Sequence, residues 1–145
     1  MSYPEYLTPE EKLADAKERL NIPSVAVICG STRFMQLMTD TDRELTAAGY
    51  IVVKPGCDMK TPHPLWDTED KAERLKVELD RLHRAKIRLA DTVIVVGDYI
   101  GDSTRAEIAY ARQLGKQIIF RDAQLQAEYD YATARASAAG EQPNA

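Results

Sequence analysis

The chain has 145 residues, 44% of them hydrophobic and 29% charged, with a formal net charge of −4. That is the length of one ordinary domain with its own core, and the composition is that of a folded globular protein. The negative balance argues against a nucleic-acid polymer or an anionic membrane surface as partner, and no apolar run is long enough to span a bilayer; a local anion pocket stays open.

MSYPEYLTPEEKLADAKERL is acidic and polar, where a secretory leader would start basic and turn apolar. Two cysteines, Cys29 and Cys57, make neither a disulfide framework nor a zinc-ligand spacing, so the expected compartment is the cytoplasm. Thr8-Pro9-Glu10-Glu11 combines an N-cap Thr, a Pro at the first helical position and a Glu three residues after the Thr, which predicts a helical arm over residues 1–20. SVAVICG reads as a strand buried on both faces and stopped by Gly30, with Cys29 a small core residue. STRFMQLMTDTDRELTAAG spaces Phe34, Leu37, Met38, Leu45 and Ala48 helically and closes at Gly49. YIVVKPG is a second strand and CDMKTPHPLWDTED a Pro-rich loop. KAERLKVELDRLHRAKIRLAD is a long amphipathic helix with Leu75, Leu79, Leu82 and Leu89 as its apolar stripe. Lys86 falls on that stripe beside His83, the position of a lysine that reaches past the core edge. TVIVVG is a third strand, STRAEIAYARQLG a helix ending at Gly115, and KQIIF a fourth strand. A last helix runs from about Ala123 to Ala134 and gives way to a flexible tail over 136–145.

Apolar strands alternating with helices predict a single α/β domain over 21–135, a doubly wound parallel sheet of four or five strands with helices on both faces. In such sheets ligands bind beyond the carboxyl ends of the strands, at the switch in strand order. Three loops should therefore converge: Gly30 to Arg33, Pro55 to Trp66, and Gly97 to Thr104.

In the first, Gly30 allows a tight turn, Ser31 or Thr32 can cap the next helix, and Arg33 places a positive charge where the helix dipole alone disfavours it. Plain capping and anion binding are both open. In the second, His63 and Trp66 are candidates for a lid or a base contact, or Trp66 simply anchors the loop. In the third, Thr104 and Glu107 stand in the spacing of a capping box, which needs no function. Equally, Asp98, Asp102 and Glu107 place three carboxylates around one strand end, an arrangement suited to general-acid and nucleophile roles. No His/Cys/Asp cluster has metal-ligand spacing and no dinucleotide fingerprint is present, so no metal or other cofactor is implied.

VAVICGSTRF resembles the first strand and loop of the nucleoside 2-deoxyribosyltransferase superfamily, especially its 2′-deoxynucleoside 5′-monophosphate N-glycosidase branch, where a similar C-G-S-x-R segment binds the sugar and 5′-phosphate. LADTVIVVG is similar to the A-D-x-V-x-V strand of that superfamily, and STRAEIAYARQLGK to its G-x-x-x-E-[LI]-G-x-A helix start, whose Glu is the nucleophile. The likeness covers roughly Val25 to Phe120 and extends to small phage and bacterial members.

The resemblance implies cleavage of the N-glycosidic bond of a (deoxy)nucleoside or its 5′-monophosphate, with Glu107 attacking the anomeric carbon. Asp102, then Asp98, would serve base departure, while Gly30, Ser31, Thr32 and Arg33, with Ser103 and Arg105, would hold the sugar and phosphate. It also implies a small-molecule substrate and a homodimer or larger homo-oligomer, for which the long helix is a plausible interface. Ser103 and Arg105 stand where the family has small glycines, Gly101 where it has a polar residue, Ala109 where it has a glycine, and His83 where it carries an aspartate. Two other readings fit the residues: a non-catalytic nucleotide sensor, and a phosphoribohydrolase, although GDYIGDSTRAE has too few glycines for the loop of the latter.

Overall fold

The computed structural model describes residues 6–138. Its strands are β1 (Val25–Cys29), β2 (Ile51–Val53), β3 (Thr92–Val95) and β4 (Gln117–Phe120); its helices are α1 (Pro9–Arg19), α2 (Met35–Ala47), α3 (Glu69–Leu89), α4 (Asp102–Gln113) and α5 (Ala123–Ala138). Single turns of 3-10 helix cover Thr32–Phe34 and Pro64–Trp66. The strands pair in the order β2-β1-β3-β4, all parallel. This is the doubly wound α/β domain expected, with four strands.

Alternation along the strands divides the core. Val25, Val27 and Cys29 of β1, with Val93 and Val95 of β3 and Ile118 and Phe120 of β4, bury against Ile87 of α3, its C-cap Ala90, and Ile108 and Ala111 of α4. Ala26, Ile28, Ile94 and Val96 bury on the other face against Met38 of α2, flanked by Phe34, Met35 and Leu45. Every residue of β1 is buried, as its unbroken apolar run requires once both faces are covered. The sequence order reverses between β1 and β3, so their carboxyl ends open the crevice in which this fold class binds ligands.

Helix α1 opens with the predicted capping box: the Thr8 hydroxyl accepts from the Glu11 N–H at 3.2 Å, and Glu11 accepts from the Thr8 N–H at 3.0 Å. The arm is docked rather than free. Lys17, almost fully buried, donates to the Leu89 carbonyl and to Asp91, both at 2.8 Å, while Asp91 also accepts the Val25 N–H at 2.8 Å. One carboxylate thus joins α1 to the starts of β1 and β3, at the end of the sheet away from the crevice. Partial burial pushes the Asp91 carboxyl up, but the hydrogen bonds from Lys17 and Val25 outweigh it and hold the group below its ordinary 3.8.

A carboxyl depressed in the folded state stabilises fully above its unfolded pKa and loses that contribution as pH falls through the folded value. Asp91→Asn should therefore cost roughly 1 kcal/mol at pH 7, a modest figure because the carboxylate is partly solvated. The gap between wild type and variant should close below about pH 4; denaturant melts at pH 7 and pH 3 test this. A gap that stays constant across that range would remove the ion pair from the account.

Three expectations are corrected. The apolar stripe of α3 is rotated: Leu82 and Leu89 are 47% and 44% exposed, while His83 and Ile87 are buried. Leu75 and Leu79 are half-buried in line with His83 and Ile87, so the expected stripe is right in its first half and wrong at Leu82 and Leu89, where a histidine takes the core-facing position instead. Helix α4 starts earlier than a Thr104 cap would have it. Gly101 is the N-cap, with no side-chain cap, and Thr104 is buried within the helix, so Thr104 and Glu107 form no capping box. Asp102 takes the first helical position, where the dipole favours a negative charge. Helix α5 continues to Ala138, past the expected end near Ala134 and into the segment expected as a tail; residues 139–145 lie outside the described residues. Among the described residues no helix is long and apolar enough to cross a membrane.

Candidate active site

A cavity of about 570 Å3 opens at the carboxyl ends of β1 and β3. It falls within the range of roughly 300–1,000 Å3 typical of small-molecule sites. Each of the three predicted loops contributes to its wall: Gly30 to Arg33, Pro55 to Lys60, and Gly101 to Thr104 with Tyr99; Lys76, Asp80, His83 and Lys86 of α3 close the remaining side.

Gly30 ends β1 with φ of 153°, and a Cβ there would lie 2.9 Å from the Val96 carbonyl oxygen, so only glycine lets the turn pass this close to the end of β3. Ser31 caps the 3-10 turn, accepting from the Arg33 N–H at 3.4 Å, and its hydroxyl receives Lys60 Nζ at 3.1 Å. Asp58 accepts from the Lys60 N–H and from the hydroxyls of Thr61 and Thr32. The second loop is therefore tied to the first. Arg33 lies over the Tyr99 ring with its guanidinium carbon 4.0 Å from the centroid, which joins the first loop to the third across the crevice. Arg33 and Lys60 make this rim of the cavity cationic.

Glu107 lies one turn into α4, its side chain 19% exposed at the cavity wall. Its Oε2 is 3.2 Å from Nε2 of His83, and that nitrogen is 3.3 Å from Sγ of Cys29. Burial, and then the adjacent Glu107 carboxylate, push the Cys29 thiol well above the ordinary cysteine range. Strand β1, helix α3 and helix α4 each deliver one member of this group.

Helical geometry explains which other predicted residues join. Ser103 and Thr104 precede Glu107 by four and three positions and share its face of α4, so both line the cavity. Arg105, two positions before Glu107, is turned about 200° round the helix. It lines a separate cavity of about 370 Å3 with Ile100, Phe120 and Glu128. Asp102 lines the site at the start of α4, whereas Asp98 is exposed outside the lining. His63 and Trp66 also lie outside it. Their rings stack with centroids 4.8 Å apart, and the Trp66 indole N–H donates to the Thr61 carbonyl at 2.8 Å, an anchor within the loop.

No protein-family model matches this chain, and no curated protein does either.

Several of these residues carried little weight in the sequence. Lys60, Lys76, Asp80 and Tyr99 line the cavity, and the Lys86 ammonium, rather than trailing into solvent, donates to the Lys54 carbonyl at 2.8 Å beside it. The signal was present in α3: Lys76, Asp80, His83 and Lys86 recur at intervals of three and four, a polar stripe adjoining the apolar one.

Proposed function

We propose that the protein cleaves the N-glycosidic bond of a nucleoside 5′-monophosphate, with Glu107 as nucleophile. The observation that carries this is a carboxylate 3.2 Å from His83 Nε2 at the wall of a nucleotide-sized cavity that the cations Arg33 and Lys60 also line. The cationic rim favours the monophosphate over the free nucleoside. In the proposed reaction Glu107 Oε attacks the anomeric carbon as the C–N bond to the base breaks, giving a glycosyl ester. Asp102, carrying a proton when substrate is bound, is the proposed donor to the departing base nitrogen, and the carboxylate left behind takes the proton of the water that attacks next. Water then attacks the anomeric carbon, releases the glutamate and leaves the sugar phosphate; a second base in place of water would give transfer.

The test is incubation with a panel of nucleosides and 5′-monophosphates followed by chromatography for free base. Release from monophosphates is the expected result; nucleotide binding without release from any substrate would leave a sensor as the better reading. Arg33→Ala should raise KM for the monophosphate about tenfold to a hundredfold, the worth of one charged hydrogen bond, with kcat little changed. A parallel rise for the free nucleoside would mean that Arg33 does not hold the phosphate.

The proposal includes a second copy of the chain docked along α3. Leu82 is half exposed and also lines the cavity, so a neighbour covering Leu82 and Leu89 would close the site. Sedimentation should show a dimer that Leu89→Glu dissociates; an unchanged sedimentation coefficient would exclude this face.

A further inference from the structure

We infer that Cys29, His83 and Glu107 form a binding site for a zinc-like divalent cation, open to the cavity on its fourth side. The three side chains offer one sulfur, one nitrogen and one oxygen donor, all within 4.8 Å of one another. In a tetrahedral zinc site with Zn–S of about 2.3 Å and Zn–N and Zn–O near 2.1 Å, the S···N edge is about 3.6 Å and the N···O edge about 3.4 Å. The observed separations are 3.3 Å and 3.2 Å, so on those two edges the atoms need part by only a few tenths of an ångström, while the S···O edge, within 4.8 Å, closes toward about 3.6 Å by a side-chain rotation of Glu107.

Burial favours the same conclusion. Cys29 is fully buried and His83 is 8% exposed, so the ligands are largely shielded from competing water. They sit on three packed elements of the sheet and its helices, a rigid frame. Three protein ligands with one open position is the pattern of reactive rather than purely structural zinc sites. Thiolate and imidazole select zinc, cobalt or their neighbours over magnesium or calcium, which take oxygen ligands. On binding, the Cys29 S–H bond breaks, the sulfur lone pair goes to the metal and the proton leaves to solvent.

The site shares Glu107 with the proposed reaction. A metal that takes the Glu107 oxygen removes the nucleophile's lone pair, so the cation switches base release off; this consequence alone rests on the proposed function.

Metal-stripped protein titrated with Co2+ tests the site directly. We expect one equivalent to produce a thiolate-to-cobalt charge-transfer band, with visible bands of tetrahedral intensity that Zn2+ abolishes by displacement. Cys29→Ser should lose the charge-transfer band, and His83→Asn should weaken binding at least tenfold. Cys57→Ser, which removes the thiol that lines the cavity itself, should leave the band in place. Where Cys29→Ser fails to fold, the zinc-dependent rise in melting temperature of wild type and its loss in His83→Asn provide the same discrimination.

No charge-transfer band, a band lost in Cys57→Ser instead, or unchanged affinity in His83→Asn would each overturn the site. Zinc should abolish base release in wild type. Full activity in zinc-loaded protein would overturn the shared use of Glu107 while leaving the spectroscopy intact. An absence of base release under all conditions would count against the glycosidase and not against the metal.

Discussion

Glu107→Gln is expected to lower base release by about 10^4-fold or more, as loss of a nucleophile does when the binding site persists. The substitution is nearly isosteric, so folding should be undisturbed: the amide can still meet His83 Nε2 where the carboxylate lay 3.2 Å from it. Glu107→Asp separates charge from position. It keeps a carboxylate but withdraws it by one methylene from the anomeric carbon, and a misplacement of about 1 Å costs on the order of a hundredfold. The expected order is therefore wild type, then Asp, then Gln, with melting temperatures within a few degrees of one another. Free base measured by chromatography, with circular dichroism for the fold, decides it. A Gln variant that still releases base at the wild-type rate would end the nucleophile assignment, and an Asp variant no better than Gln would mean that geometry, more than charge, limits the reaction.

The architecture was legible because its signals are local. SVAVICG and TVIVVG are unbroken apolar runs, and each is a buried central strand; Thr8 to Glu11 is a capping box in both sequence and structure. The switch-point rule then selected loops that do converge, because chain direction alone fixes where strands end. What failed was resolution about a helix axis. Thr104 and Glu107 have capping-box spacing, but the chain enters α4 at Gly101, and that shift converts a cap into a cavity wall.

The grouping of Cys29, His83 and Glu107 was not legible at all. Its members are separated by whole elements, and metal-ligand spacing rules detect only neighbours in sequence. Each residue has a bland local reading: a small core residue, a histidine on a leucine-rich helix, a capping glutamate. Only the β1-β3 adjacency, with α3 and α4 on the same face, brings them within one coordination sphere. Arg105 is the converse, a residue near Glu107 in sequence that the helix turns away from it.

Gly97→Ala is expected to destabilise the fold by about 2–4 kcal/mol, from two sources that experiment can separate. Gly97 has φ of 88°, where an L residue pays roughly 1 kcal/mol. Its missing Cβ would lie 2.3 Å and 2.4 Å from two carbons of the Phe34 ring, an overlap of the kind that costs about 1–3 kcal/mol in a packed core. For a domain of this size, that total corresponds to a fall in melting temperature of roughly 6–15 °C. Gly49 supplies the control: its φ is 97° and nothing lies within 4 Å of its Cβ position, so Gly49→Ala bears the backbone cost alone. Phe34 packs on the Ile28 and Met38 side of the sheet and directly follows Arg33, so pushing its ring aside moves the cationic rim of the cavity as well. The variant should therefore raise KM for a monophosphate in addition to melting early. The deciding measurement is a double-mutant cycle with Phe34→Ala, which clears the space the new methyl needs. Gly97→Ala should cost at least 1 kcal/mol less in that background than in wild type. Equal costs in the two backgrounds would trace the whole effect to the backbone and leave Phe34 out of it.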